Sequence, residues 1–357
     1  MNEQVIDIHI HIGGPGGERD DDQSGCQWSR EFELTEAYWA ILFTTGTFPW
    51  NLTQKRITKK LLKILKKSKI DNGVLLALDK VYDLDGKSYG VNDDSPIKSH
   101  LVVPNKYIAR LKSENPNKVL FGASIHPYRN KKDLEEEFQF CLRNGAVLCK
   151  WIPSAQMIDP REKKCETLYY LLREHKIPLL YHTGPEPTVP TSYRNIPEYK
   201  NNPYEFNNPK YLQYPLEKGV TVIAAHCSVP YYGIFDPDYK MYLKEFINIF
   251  KKAKENGWKW NLYADVSALC SPFISKEIIE TIQNNVPSER LLFGSDFPVP
   301  ISQLSYSKKK PDLWTLIKLH FENPLNRNKE MIIDRMKFKK EILTNAYWLF
   351  KELGRIE

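Results

Sequence analysis

Near its start the chain reads QVIDIHIHIGG, with Asp7, His9 and His11 alternating with Ile6, Ile8, Ile10 and Ile12. Successive side chains of a strand point to opposite faces. An acid and two imidazoles would therefore share one face, and four isoleucines the other. A half-solvated strand more usually fills its polar face with Thr, Lys, Glu or Ser. Two histidines at i and i+2 near a strand end are spaced as two ligands aimed at one point. Further along, Lys150 in VLCKW, His182 in LLYHTG, His226 in IAAHCS and Asp296 in LFGSDFP each close a short apolar run. Imidazole and carboxylate together suit Zn²⁺, Mn²⁺ or Fe²⁺, held with an open position for water. Taken singly, a strand-end histidine is more often a hydrogen-bonded structural residue. Asp296 alone could cap the next turn, and Lys150 alone could snorkel to solvent. The weight lies in the joint pattern of clustered His and Asp.

Such a cluster needs elements that converge. Short β-rich runs fall at residues 4–12, 72–79, 118–125, 146–151, 177–182, 220–226, 260–267 and 290–296. Helical patterns lie between them, for example at 133–144, 165–175 and 238–256, and the tail at 337–353 reads as one amphipathic helix. Repeated β-plus-α units imply parallel strands, because each return needs a crossover helix. Eight units predict an α/β fold, a (β/α)₈ TIM barrel with its site at the C-terminal ends of the strands. A doubly wound sheet is the alternative. However, no G-x-G-x-x-G follows an early strand, and GGPGG at 13–17 opens no helix. The stretches 13–34, 80–99 and 184–203 read as long loops over the barrel mouth. Without repeats or an interdomain linker, residues 1–357 read as one domain with extra C-terminal helices from about residue 311.

The chain has 357 residues, 41% hydrophobic and 12% aromatic, enough for a sizeable core and against global disorder. The formal net charge of +7 is a mild excess, much of it in the basic run at 55–69. That run has apolar residues at helical spacing and reads as an outer helix with a solvated basic face. No base-reading motif accompanies it, so a small molecule, rather than nucleic acid or membrane, is the expected partner. Association into a homo-oligomer stays open. Six cysteines without a C-x-x-C pair read as reduced core thiols of a cytoplasmic protein. No apolar run approaches membrane-spanning length, and no signal peptide precedes the first strand.

An H-x-H ending strand one, a Lys after strand four, His after strands five and six, and Asp after strand eight resemble the amidohydrolase superfamily. AVLCKWIPSAQMIDP, HTGPEP and LLFGSDFPVP resemble its amidohydrolase-2 branch, which also holds aminocarboxymuconate-semialdehyde decarboxylase. The resemblance runs from residue 5 to about residue 300. It implies that His9, His11, His182 and Asp296 ligate a catalytic metal, most often zinc, with manganese or iron as alternatives. His226 would be catalytic in a mononuclear site, or a ligand of the second ion in a binuclear one. Lys150 stands where binuclear relatives carry a carboxylated bridging lysine. An uncapped Lys⁺ beside a divalent ion is costly, so it would be carboxylated or would bind a substrate carboxylate. The Lys at this position also weakens a nuclease reading, since TatD-type nucleases carry Glu there.

Around this set, Asp7 could orient a ligand histidine. Asp265 in YADVSAL and Glu186 in HTGPEP could contact substrate. His126 reads as a loop anchor, and Arg129, Tyr193 and Arg194 as solvated surface residues that could meet an acidic substrate. The leading expectation is hydrolysis of an amide, ester or lactone by metal-activated water, with Asp296 as the proton carrier. The alternative is decarboxylation of an unsaturated or aromatic acid, with His226 and Asp296 as proton carriers. A non-catalytic binding barrel is the third reading.

Overall fold

The computed structural model describes residues 3–230, 232–299, 305 and 313–357. All eight expected strands form: β1 (Ile6–His11), β2 (Asn72–Leu76), β3 (Val119–Ala123), β4 (Ala146–Trp151), β5 (Leu179–Tyr181), β6 (Val222–Ala224), β7 (Leu262–Asp265) and β8 (Leu291–Leu292). They lie side by side in chain order in one sheet, and their pairings are parallel. The two edges then meet. Ile8 N donates to Phe293 O at 3.1 Å, Asp296 N to His9 O at 2.9 Å and His11 N to Phe297 O at 2.7 Å. The chain is a (β/α)₈ TIM barrel closed along a seam between β1 and the segment after β8.

The four isoleucines of the first strand are buried, but not on one face as alternation implies. Ile6 and Ile8 pack with Leu148, Leu180, Ile223 and Leu292 from other strands. Ile10 and Ile12 belong to the larger cluster that includes Leu61 and Leu65. The β1–β2 register shifts between Asp7 and Ile10, and an extra residue in a strand reverses the faces beyond it.

Helices surround the sheet. The basic run forms α2 (Gln54–Lys66), burying Ile57, Leu61 and Leu65 beneath its solvated lysines. The helix before it, α1 (Glu36–Thr45), starts where Thr35 Oγ1 accepts from Tyr38 N and stops at Gly46, whose left-handed φ suits glycine. The expected patterns appear as α3 (Lys131–Arg143), α4 (Cys165–Glu174) and α5 (Tyr239–Glu255). The single tail helix expected at 337–353 does not form. A 3₁₀ turn (Lys340–Leu343) precedes a shorter α6 (Asn345–Glu352). Ile342 O instead accepts from Phe293 N at 3.0 Å, a bond that ties the tail to the end of β8. The expected start of the C-terminal helices near 311 lies outside the described residues, and a helix at Leu313–Phe321 follows it.

The long loops over the mouth carry structure of their own. Gln27–Trp28 pairs antiparallel with Leu101–Val102, and Val81–Tyr82 with Ser88–Tyr89. Among the described residues no helix is long and apolar enough to cross a membrane. All six cysteines are buried and unpaired.

Candidate metal centre

The seam is where the chemistry gathers. Its hydrogen bonds bring the end of β1 against the turn after β8, and three side chains meet there. His9 Nε2 and His11 Nε2 are 3.0 Å apart. Asp296 Oδ1 lies 3.2 Å from His11 Nε2 and 3.5 Å from His9 Nε2. The backbone adopts demanding conformations to achieve this. Asp296, His226, Cys227 and Ser228 all have left-handed φ near +50 to +60°. Non-glycine residues hold such values at a cost of about 1–3 kcal/mol each, where the surroundings over-determine them. Here Asp296 N is pinned to His9 O, and His226 N donates to Asp265 Oδ1 at 2.9 Å. Gly294 is required by close approach, since a Cβ there would stand 2.9 Å from His9 Cβ.

Behind His9 lies a carboxylate. Asp265 Oδ2 is 2.7 Å from His9 Nδ1, and both residues are fully buried. Nδ1–H therefore donates to the acid and leaves the Nε2 lone pair aimed at His11, Asp296 and Lys150. Lys150 is also fully buried, with Nζ 3.2 Å from His9 Nε2. It neither snorkels to solvent nor stands apart from the cluster. Ser267 Oγ joins the pair, 2.8 Å from His226 Nδ1 and 3.2 Å from His9 Nδ1, and it hydrogen-bonds Asp265. His226 Nε2 lies 3.2 Å from His182 Nδ1, and His182 Nε2 stands 3.3 Å from Glu186 Oε2 without forming a hydrogen bond.

These residues fit a divalent ion. Two sets of donor atoms lie within 4.8 Å of one another: His9, His11 and Asp296; and His9, His226 and Asp265. Ligands about 2.0–2.1 Å from a zinc ion stand roughly 3 Å apart from each other, close to the spacings seen here. Protonation agrees, because ligands must offer lone pairs. Burial holds His9 and His182 well below the usual imidazole range, with Lys150 adding to the effect at His9 and His226 at His182. Burial alone would raise Asp296, but His226, His11 and His9 hold its carboxyl well below the usual range. Burial also brings Lys150 down to about 8. The buried His182 Nε2, lacking a hydrogen-bond partner, is a further free donor atom.

Not every expected residue joins this cluster. His182 sits one step away, beside His226 and Glu186. Asp265 is turned to the back of His9, away from the cavity where a substrate contact was expected. Asp7 touches no imidazole; its Oδ1 accepts from His9 N at 3.1 Å and Ser295 N at 2.9 Å, and burial raises its carboxyl to about 7. His126 is a loop anchor, bonded to Gln156 O and Tyr128 N. Arg129 is not a solvated residue but grips Asp79 through two bonds of 2.7 and 2.8 Å. Tyr193 is buried against Tyr199 and Phe206 rather than exposed, while Arg194 lies at the surface beside Tyr204. Ser267 and Gly294 were not singled out from sequence. The signal for Ser267 was its spacing, two residues beyond Asp265.

Above the cluster a narrow hollow of about 60 Å³ is lined by His11, Asp296 and Glu186 and by apolar residues such as Phe32, Ile41 and Val189. No Lys or Arg lines it among the described residues.

Fold and site together define a (β/α)₈ barrel enzyme with a His and Asp cluster able to hold a divalent metal at the strand ends. The chain belongs to the amidohydrolase family, in its amidohydrolase-2 branch, whose model matches residues 100–320. His9 and His11 precede the matched segment, and the seam carries them into it. Solved structures share the fold. One is an uncharacterised TIM-barrel protein from Bordetella bronchiseptica, 16% identical with a TM-score of 0.57, covering 98% of this chain and 99% of that one. A 2,6-dihydroxybenzoate decarboxylase in complex with 2,6-dihydroxybenzoate is 15% identical with a TM-score of 0.54, covering 98% and 100%. A putative 2-pyrone-4,6-dicarboxylic acid hydrolase from Pseudomonas putida is 13% identical with a TM-score of 0.51, covering 98% of each chain. At these identities the likeness is one of fold. A comparison with the curated proteins finds no match.

Proposed function

We propose that the protein is a metal-dependent hydrolase of an uncharged amide, ester or lactone bond in a small molecule. The observation that carries this reading is the make-up of the hollow facing His11 and Asp296. Its walls are apolar, its ionisable groups are two acids and an imidazole, and it offers no cation to an anionic substrate among the described residues. His9, His11 and Asp296 would hold the ion, with zinc as the first choice and manganese or iron as alternatives. His182 and His226 would hold a second ion together with Lys150 if Lys150 is carboxylated. When bound, such an ion lowers the pKa of water toward neutrality and polarises a carbonyl oxygen.

The chain's own residues do the rest. Asp265 fixes the His9 tautomer and keeps its Nε2 lone pair forward. Asp296 takes the proton from the attacking water and returns it to the leaving group. His226, held by Ser267 within 4.0 Å of Asp296 Oδ2, is the next group able to accept that proton. Six buried, unpaired thiols accord with a reducing compartment, the cytoplasm.

One feature favours a second reading. The buried Lys150 amine, 3.2 Å from His9 Nε2, could hold a substrate carboxylate. The same cavity would then decarboxylate an unsaturated or aromatic acid, with His226 and Asp296 delivering a proton to carbon. The test is a panel of neutral amides, esters and lactones beside aromatic and unsaturated acids, given to metal-loaded protein and read by mass spectrometry. Fragment pairs whose masses sum to the amide or ester plus one water, or a lactone product heavier by one water, support hydrolysis. Loss of CO₂ from the acids, with the neutral compounds untouched, overturns it. Elemental analysis should find about one to two divalent ions per chain, abolished in the His9→Ala, His11→Ala double variant.

A further inference from the structure

The small hollow above the cluster does not end at the barrel mouth. Ala37, Ala40, Thr188 and Val299 line it and also line a second hollow of about 440 Å³ that opens at the surface. The two hollows therefore adjoin along these residues, and the outer volume falls in the range of small-molecule sites, about 300–1,000 Å³. Its floor is α1. Ala37 and Ala40, three residues apart, share one face of that helix, and their small side chains stand where the hollows adjoin. Trp39 and Phe43 flank the outer part at 58% and 87% exposure. A helix apolar all round is normally buried, yet α1 leaves these two large side chains in water beside the groove. The far wall is Tyr232 and Phe273, whose rings are tilted at 33° with centroids 5.8 Å apart, and the Tyr232 hydroxyl hydrogen-bonds Glu36 at the start of α1. The only ionisable carboxylate in the outer part among the described residues is Glu36, so a charged anionic tail is disfavoured.

We propose that this groove takes an elongated apolar chain of the substrate, whose scissile group lies at the metal centre, making Ala37, Ala40, Trp39 and Phe43 the residues that set chain specificity. The inference rests on the hydrolase reading for the position of the scissile group, but the groove can be tested apart from it. Burial of a methylene contributes about 0.8 kcal/mol, so affinity should rise about fourfold per added methylene.

The experiment is calorimetric titration of the metal-loaded protein with straight-chain alkyl hydroxamates, from acetohydroxamate to decanohydroxamate. Affinity is expected to climb with chain length, and Ala37→Trp is expected to flatten the series. Ala40→Leu serves if Ala37→Trp does not fold. A series that binds measurably but with no dependence on chain length in the unaltered protein, or an unaltered slope in the folded variant, overturns the proposal. The metal-free protein separates the two readings, through titration with 1-octanol and 1-butanol followed by Trp emission. A shift with octanol that is lost in Trp39→Phe supports the groove even if no hydroxamate binds, in which case the metal-centre reading fails alone. No octanol response at Trp39 overturns the groove whatever the hydroxamates do.

Discussion

At the scale of single residues, Asp296 is asked to be both ligand and proton carrier, and one substitution separates the roles. Asn keeps the shape and one coordinating oxygen but cannot take a proton near neutral pH. Two imidazoles still face the ion, so Asp296→Asn should keep most of its metal. Proton transfer by a positioned group contributes about 10²–10⁴-fold, and turnover should fall by that factor, measured as kcat beside metal content. Full turnover would move the proton step to His226. Asp265 has a different task, since it touches no part of the cavity. Loss of such an orienting partner typically costs about 10–100-fold in metal affinity. Asp265→Ala should therefore weaken metal binding by that factor in a competition titration, and an unchanged affinity would remove it from the centre. How much of this was legible in the sequence depends on how local the signal was. His9 and His11 declared themselves because two imidazoles two positions apart in an isoleucine-rich strand have few bland explanations. Asp296 and Lys150 followed from their places at strand ends. The His9–Asp265 bond joins residues 256 positions apart, and no local pattern encodes it. The position of His182 beside His226 and Glu186 also depends on the turn after β6, whose left-handed residues carry no glycine to announce them.

At the scale of elements, the segment at 184–203 is more firmly held than a free lid. Thr191 Oγ1 donates to Ser154 O at 2.5 Å, Ser192 Oγ to Lys98 O at 3.1 Å, and Tyr193 packs against Tyr199 and Phe206 at ring distances of 4.8 and 5.3 Å. Truncating a large buried aromatic typically costs about 3–5 kcal/mol. Tyr193→Ala should lower stability by about 3 kcal/mol in denaturant unfolding and raise KM, because the same segment carries Glu186, Thr188 and Val189 to the cavity. A variant of wild-type stability would make the anchoring of this loop unimportant. The eight strands were readable from their apolar, β-rich runs, although all but β4 proved shorter than their runs. Strand hydrogen bonding stops where chains diverge toward the mouth, whereas residue composition does not. The tail helix was misread for a related reason. Its periodicity is helical throughout, but the carbonyl of Ile342 is committed to Phe293, and nothing in a helical pattern reports such a tertiary claim. The helix α1 was not singled out from sequence, because its residues are apolar all round and show no preferred face. Its role as the floor of a groove depends on what fails to cover it.

At the scale of the whole molecule, two histidines outside the centre add to the response to acid that His9 and His182 give. His126 and His100 are both buried, and burial lowers each to about 4, against an ordinary value of 6.5. Their folded forms are neutral. The unfolded chain therefore binds more protons between pH 6.5 and 4, and stability falls as pH drops through that window. Each group contributes about 1.4 kcal/mol per pH unit there. The melting temperature of the metal-free protein should decline from pH 6.5 toward 4, and His126→Gln should make the decline shallower; an identical slope would exclude His126 as a source. The seam has a consequence of another kind. Asp7 and Ser295, bonded across it, are 288 positions apart in the chain. An ion gripped by His9, His11 and Asp296 would thus act as a clasp on a necklace, fastening the first strand of the polypeptide to the last and closing nearly its whole length into a ring. Contacts between such distant partners form late, because so much chain must be ordered before they can meet. Catalytic competence would then arrive as the final event of folding, and the amides of Ile8, His11 and Asp296 should exchange with solvent more slowly once metal is added, while the other strands change little.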